Sequence, residues 1–270
     1  MELVGNAKKM KTEPPKNDQE KVHYWMRLDE ETFFLNEVIG SELHIEYLGE
    51  INCVSCGRDT KKSFSGGYCY PCSQSLAETD ICVVKPELCH FAAGTCRDEA
   101  WGIANCMTPH TVYIANSSGI KVGITREKMP VRRWIDQGAV QAVSVCKVPT
   151  RLDSGKLEVA LKEMFADKTN WRKMLKNEVE MHDLSSIRDE ARVLLENRIP
   201  DFASDWSGEE PVTLSYPVER YPEKIKSFNL DKTPKVGGVL TGIKGQYLMF
   251  GDHVINVRKY SGYKLKLTCA

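Results

Sequence analysis

The sequence predicts an α+β fold built from several small modules, and three observations predict it. Short alternating apolar runs broken by glycine occupy both ends of the chain. A central stretch runs through two β segments, a short helix, a third β segment and longer helical periods. Between the first module and this stretch lies a cysteine-rich segment with neither period. The division that follows is an N-terminal β module over 1–50, a cysteine-rich segment over 51–110 with a ribbon at 51–75, and an α/β domain over 111–200. An acidic, proline-containing linker over 201–236 and a C-terminal β module over 237–270 complete it.

Residues 1 to 20 are polar and carry Pro14-Pro15, which reads as a loose start, although Leu3-Val4 can begin a strand. Val22-His23-Tyr24-Trp25-Met26 and Leu43-His44-Ile45-Glu46-Tyr47 are strands, with Gly40 and Gly49 as breaks. In the centre, the apolar runs 111–115 and 120–125 form a hairpin across Asn116-Ser-Ser-Gly119. Pro130 suits the first turn of a helix that runs to Gln137 and is stopped by Gly138. A third strand covers 140–148. Ser154 opens a longer helix with Leu157, Leu161, Met164 and Phe165 on one face, and Thr169 and Asp183 cap two more, the last ending near Ile199-Pro200. The final strands echo the first: Tyr24-x-Met26, Asn36 and Gly40-x-x-Leu43 against Tyr247-x-Met249, Asn256 and Gly262-x-x-Leu265.

A hydrophobic content of 41% with 27% charged residues is that of a folded soluble protein, and no window approaches the ~20 apolar residues that span a bilayer. Met1-Glu2-Leu3-Val4-Gly5 has neither the basic start nor the apolar stretch of a secretory signal, so the expected compartment is the cytosol. Lys+Arg and Asp+Glu both number 37, which excludes a global attraction to nucleic acid. The distribution is uneven. Residues 111–176 hold 13 basic against 6 acidic side chains, 177–219 hold 3 against 11, and 221–270 hold 9 against 3, so two basic segments flank an acidic one.

Ten cysteines in a reducing compartment point to metal ligation rather than disulfides. Cys53-x-x-Cys56 and Cys69-x-x-Cys72 are two knuckles, and the loop between them contains Gly66-Gly67. A two-residue gap lets one tight turn offer two sulfurs to the same ion, so these four thiolates are the expected ligands of a structural Zn²⁺. A second group follows: Cys82, Cys89, His90, Cys96, Cys106 and His110. Cys82, Cys89, Cys96 and Cys106 are the expected ligands of a second zinc, with His90 or His110 able to replace one of them. Cys146 and Cys269 read as packing or surface thiols.

Tyr113, Gly123, Arg133 and Glu158 form an ordered series over a hairpin and two helices. Here residues 111–176 resemble the GIY-YIG nuclease superfamily, with Val112-Tyr113-Ile114 similar to its first motif and Lys121-Val122-Gly123 to its second. The resemblance implies that Tyr113 helps activate water, Arg133 holds the phosphate and Glu158 binds one Mg²⁺ or Mn²⁺. The sequence departs from the pattern at Lys121, where a tyrosine is expected, and at Gln137, where a histidine is often found. A lysine cannot act as a phenol, though it binds phosphate as a point charge.

Seven segments resemble a family of uncharacterised prokaryotic proteins known as a domain of unknown function: Cys53-Val-Ser-Cys56-Gly-Arg, Gly67-Tyr-Cys-Tyr-Pro-Cys72, Pro86-Glu-Leu-Cys-His90, Gly94-Thr-Cys-Arg97, Lys121-Val-Gly-Ile-Thr-Arg126, Arg133-Trp-Ile-Asp-Gln-Gly-Ala139 and Gly242-Ile-Lys-Gly-Gln-Tyr247. That likeness brings no activity with it. Three functions stand at this point: a divalent-metal-dependent endonuclease acting on DNA or RNA, a non-catalytic nucleic-acid-binding protein, and a zinc-stabilised protein-interaction scaffold. Under the first two, the basic segments track phosphates, and Tyr247, Phe250, Tyr260 and Tyr263 are available to stack on bases or to form a β core.

Overall fold

A computed structural model describes residues 1–17, 19–126, 130–165, 169–199 and 205–269. Strands β1 (Glu2–Glu13), β2 (His23–Leu28), β3 (Glu31–Phe34) and β4 (Glu42–Ile51) precede the short helix α1 (Tyr70–Ser75). Then come α2 (Glu99–Asn105), β5 (His110–Asn116), β6 (Ile120–Arg126), α3 (Pro130–Asp136), β7 (Gln141–Val148), α4 (Arg151–Leu161), α5 (Trp171–Lys176) and α6 (Leu184–Arg198). Strands β8 (Asp205–Trp206), β9 (Val212–Thr213), β10 (Lys226–Ser227), β11 (Lys235–Val239), β12 (Gly242–Lys244), β13 (Tyr247–Phe250), β14 (His253–Asn256) and β15 (Tyr263–Cys269) follow. The class is α+β, in two compact units. The first comprises Met1–Gln74, Leu175–Asn177 and Ser215–Ala270, the second Ser75–Met174 and Glu178–Leu214.

In the first unit a six-stranded sheet has the order β11-β4-β15-β1-β2-β3, and a four-stranded sheet has the order β10-β14-β13-β12. The terminal segments 1–50 and 237–270 therefore share one sheet, with β15 antiparallel to both β1 and β4. The start of the chain is a strand and not loose, because its backbone is paired on both edges. Ala7, Met10 and Thr12 turn inward from β1, and a register shift between Lys8 and Lys11 accommodates its turn from β15 onto β2. Strand β15 alternates cleanly, with Tyr263, Leu265, Leu267 and Cys269 buried. The sequence echo has a structural counterpart, since hairpin, 3₁₀ turn and strand occur over 23–51 and again over 247–269.

The stacking role considered for Phe250, Tyr260 and Tyr263 is corrected: all three are buried. The two tyrosine hydroxyls are satisfied internally, Tyr263 Oη donating to Asp231 Oδ1 at 3.0 Å and Leu230 N donating to Tyr260 Oη at 3.2 Å. Tyr247 is half-buried.

The second unit is a sheet of order β6-β5-β7-β8 with β9 also paired to β7. The acidic stretch thus supplies two short strands, Trp206 opposite Cys146 and Val212 opposite Ala142. Val112, Ile114, Val143 and Val145 from the sheet pack with Leu157 and Leu161 of α4 and with Leu184 and Leu195 of α6. Helix α4 begins at Arg151, three residues before Ser154, because Thr150 takes the cap and accepts a hydrogen bond from Asp153 N. Helix α5 is capped by Asn170, whose Oδ1 accepts from Lys173 N at 3.3 Å; the Thr169 hydroxyl is engaged by Lys121 instead. Asp183 caps α6 as expected, accepting from Ser185 N and Ser186 N. Pro200, expected near the end of that helix, lies outside the described residues. Among the described residues no helix is long and apolar enough to cross a membrane.

Lys244 is fully buried in the first unit. Its ammonium donates to Asn177 Oδ1 at 2.8 Å and lies 5.2 Å and 5.6 Å from the ring centres of Tyr216 and Tyr221. Burial brings its pKa down to about 7. Between that value and the unfolded value of about 10.4, the unfolded chain binds the extra proton, so stability rises with pH across this window and is lowest below it. Lys244→Met is expected to raise stability at pH 7 and to lessen the pH 7–10 slope by up to about 1.4 kcal/mol per pH unit. Urea titrations of the full chain at several pH values check this; an unchanged slope would show that Lys244 stays charged in the folded protein.

Candidate functional site

Strand β4 runs directly into the first knuckle of the ribbon. A bridge between Asn52 and Asp59 closes its base, Cys53 N donates to Arg58 O at 2.8 Å, and Gly57 N returns to Cys53 O at 2.9 Å. A second bridge, Phe64 with Tyr68, precedes Cys69 and the first turn of α1, which carries Cys72. Val54 N donates to Gly67 O at 2.9 Å and ties the knuckles together, while Asn52 N donates to Gly262 O at 2.8 Å and fastens them to the sheet.

The sulfurs of Cys53, Cys56, Cys69 and Cys72 all lie within 4.8 Å of one another, with Cys56 and Cys69 at 3.8 Å. A tetrahedral ion with metal–sulfur bonds of about 2.3 Å has sulfur–sulfur edges of about 3.8 Å, so the tetrad fits one structural zinc. Burial opposes ionisation of Cys53, yet the backbone N–H groups of Cys56, Cys69 and Ser55 directed at its sulfur outweigh it and bring the thiol down to about 6. Cys72 moves the other way, to about 12, chiefly because its thiol hydrogen-bonds to Cys69. Crowded thiols that hold one negative charge and resist a second are neutralised together by a dication. Among the described residues no disulfide competes for them.

The second cysteine group surrounds a small cavity in the other unit. Cys82, Cys89, Cys96 and Cys106 line it together with Asp80 and His90. Asp80, Cys82 and His90 form the group here, among the described residues, whose ligand atoms all lie within 4.8 Å of one another. Burial, then the Asp80 carboxylate, pushes the Cys82 thiol up to about 12. Burial, then Cys89, pushes Cys106 up to about 11, with Arg151 opposing. His110 does not line the cavity. Its Nδ1 is bonded to Thr108 O at 2.7 Å, and burial brings its pKa down to about 4, so the ring is neutral. Asp80, Arg97 and Arg151 are participants that the cysteine spacing did not reveal.

The remaining candidates, Tyr113, Lys121, Arg133 and Glu158, interact with one another. Tyr113 and Gly123 face each other across the hairpin, and a Cβ at position 123 would stand 2.5 Å from the Tyr113 hydroxyl, so only glycine leaves the ring its place. Tyr113 is fully buried against Trp134, donates to Gln137 Oε1 at 3.1 Å and accepts from Arg133. Burial raises its pKa and the Arg133 charge lowers it; burial wins, and the phenol stays protonated. The Lys121 ammonium donates to Thr169 Oγ1 at 2.6 Å. Burial first, then repulsion from Arg133, brings it down to about 7 against the attraction of Glu158. Arg133 and Glu158 are both half-buried. The arrangement sets one carboxylate, Glu158, beside a guanidinium and a buried amine.

A family described as a protein of unknown function, DUF2797, matches residues 40–265. Neither the curated proteins nor the solved structures give a significant match.

Replacing Cys53 with serine is expected to remove one equivalent of zinc per chain and to lower the melting temperature sharply, since metal supplies on the order of 10 kcal/mol to small zinc modules. Metal analysis beside a thermal melt reads both. Wild-type metal content in the variant would exclude Cys53 as a ligand.

Proposed function

The chain belongs to the DUF2797 family, and we propose that it is a zinc-organised nucleic-acid-binding protein that holds a backbone phosphate at Lys121 and Arg133. The observation that carries this reading is the proximity of two cations, one of them buried, whose repulsion is incompletely offset by Glu158. A phosphate between them removes that repulsion and accepts from both, Arg133 through its fork and Lys121 as a point charge. The basic balance of 111–176 supports long-range attraction. The ribbon adds independent support in its own unit. Arg58, Lys61 and Lys62 are exposed on it, Phe64 and Tyr70 form an edge-on pair at 5.5 Å, and Tyr70 is 59% exposed. Cations interleaved with an accessible aromatic suit a single-stranded backbone and its bases.

A second reading, cleavage of the bound phosphodiester, is favoured by Tyr113 and Glu158 in the same cluster. Cleavage needs a positioned water, neutralised phosphoryl oxygens and a stabilised leaving oxygen. In this reading Tyr113 orients the water, Arg133 and Lys121 bind the phosphate, and Glu158 holds Mg²⁺ or Mn²⁺, hard ions that prefer oxygen ligands. Lys121 in place of the second tyrosine weighs towards binding without cleavage.

Binding to labelled single-stranded DNA, duplex DNA and structured RNA is expected to weaken steeply with added salt as counterions are released. Arg133→Ala and Lys121→Ala should each weaken it by roughly tenfold and lower the salt slope by about one contact. Absent or salt-insensitive binding to every form would favour the protein-interaction scaffold. For the second reading, cleavage with Mg²⁺ or Mn²⁺ should vanish in Glu158→Ala and Arg133→Ala while zinc content and melting are retained; activity surviving both changes disposes of this site.

A further inference from the structure

The segment 75–106 is a run of 3₁₀ turns followed by α2, without a strand. Four of its apolar side chains point outward, Ile81 58% exposed, Val84 79%, Leu88 49% and Ile103 54%, while Phe91 and Trp101 are half-buried at the cavity. Its cysteines point inward. Cys82 and Cys106 are buried, and Cys89 and Cys96 half-buried, around the cavity of about 10 Å³. A piece of chain this short with four apolar groups outside lacks the core that would hold it, and small elements of this kind are fastened by a metal or by disulfides. Among the described residues no disulfide is present.

The charged groups around the cavity make sense if its sulfurs are anionic. Arg151 is half-buried and donates to Val83 O at 2.6 Å and to Cys82 O at 3.5 Å, which holds its guanidinium beside the turn that carries Cys82. Asp80 is already engaged. Its Oδ2 takes Arg97 Nε at 2.8 Å and its Oδ1 takes Cys82 N at 3.1 Å, with His90 Nε2 at 3.7 Å. The other ring nitrogen of His90 is bonded to Thr95 Oγ1 at 2.8 Å. Asp80 and His90 are thus held by neighbours, in the manner of groups that orient ligands, and the four cysteines line the space, Cys96 Sγ also donating to Asp98 O at 3.2 Å.

We propose that Cys82, Cys89, Cys96 and Cys106 bind a second zinc ion as four thiolates, with Asp80 and His90 in the surrounding hydrogen-bond network, and that this centre is the mount of helix α4. Four thiolates and Zn²⁺ carry a net charge of −2; Arg151 offsets part of it, Arg97 being paired with Asp80. The mount follows from close contacts: Arg151 N donates to Cys106 O at 2.8 Å, and a Cβ on Gly155 would stand 2.5 Å from Glu87 N, so α4 lies directly on the cysteine segment. The metal itself is independent of the function proposed above.

The test is metal content of the full chain purified without chelator. Two zinc per chain are expected, and one would overturn the proposal. Cys96→Ser and Cys89→Ser should hold one zinc and Asp80→Asn and His90→Gln two; loss of a metal in His90→Gln with retention in Cys96→Ser would overturn the ligand set. Where a cysteine variant does not fold, Co²⁺ titration of the wild-type chain decides. Thiolate charge-transfer absorption doubling between one and two equivalents supports two four-thiolate sites, and saturation at one refutes them. Hydrogen exchange over 151–161 should quicken in Cys96→Ser with the ribbon unchanged; unaltered exchange in a variant that has lost the metal would refute the mount. Failure of nucleic-acid binding leaves each of these readouts intact.

Discussion

Close-packed thiols are uncomfortable in either protonation state: neutral, they fill a polar turn with weak hydrogen bonds, and ionised, they repel. In the ribbon the backbone favours the ionised form at Cys53 by aiming amide N–H groups at its sulfur, while Cys72 keeps its proton. A single divalent ion satisfies all four sulfurs at the separation already present. The first unit depends on this arrangement because the knuckles have little core of their own. They hang from β4 on one side and are fastened to Gly262 on the other.

The second unit depends on a different kind of fit. The Tyr113 ring occupies the space that a side chain at position 123 would need, and its hydroxyl is held between Arg133 and Gln137. This joins the hairpin to α3 and brings the guanidinium towards the buried Lys121. The desolvated ammonium and its neighbour are costly to keep together. In the function proposed above, a bound phosphate offsets that cost.

Local chemistry made the central hairpin legible. Its alternating runs and its Asn-Ser-Ser-Gly turn lie within fifteen residues, and the strands pair in that register. The ribbon was equally local, because its ligands come in two short knuckles. Strand β1 was hidden for the opposite reason. Its lysines and glutamates resemble an unstructured start, and what orders them is β15, more than two hundred and fifty residues away. The shared terminal sheet was hidden in the same way, although the echo of Tyr24, Asn36 and Gly40 near the other end was its trace. In the second cysteine group the sulfurs could be named from composition, but Asp80 and Arg151 could not, since neither carries a spacing signal: Asp80 lines the cavity from a turn, and Arg151, the first residue of α4, meets the segment at the carbonyls of Cys82 and Val83.

The interleaved sheet constrains the order in which the protein can form during translation. Strand β15 fits between β1 and β4, so two strands made early must wait with open edges until 263–269 has left the ribosome. Residues 75–174 and 178–214, emerging in between, make a unit of their own and can fold while those edges are still unpaired. Long waits with exposed edges invite wrong pairing. Lysines and glutamates along β1 are the usual protection against that hazard, so the polar character that disguises this strand in the sequence also keeps the nascent chain from sticking to its neighbours.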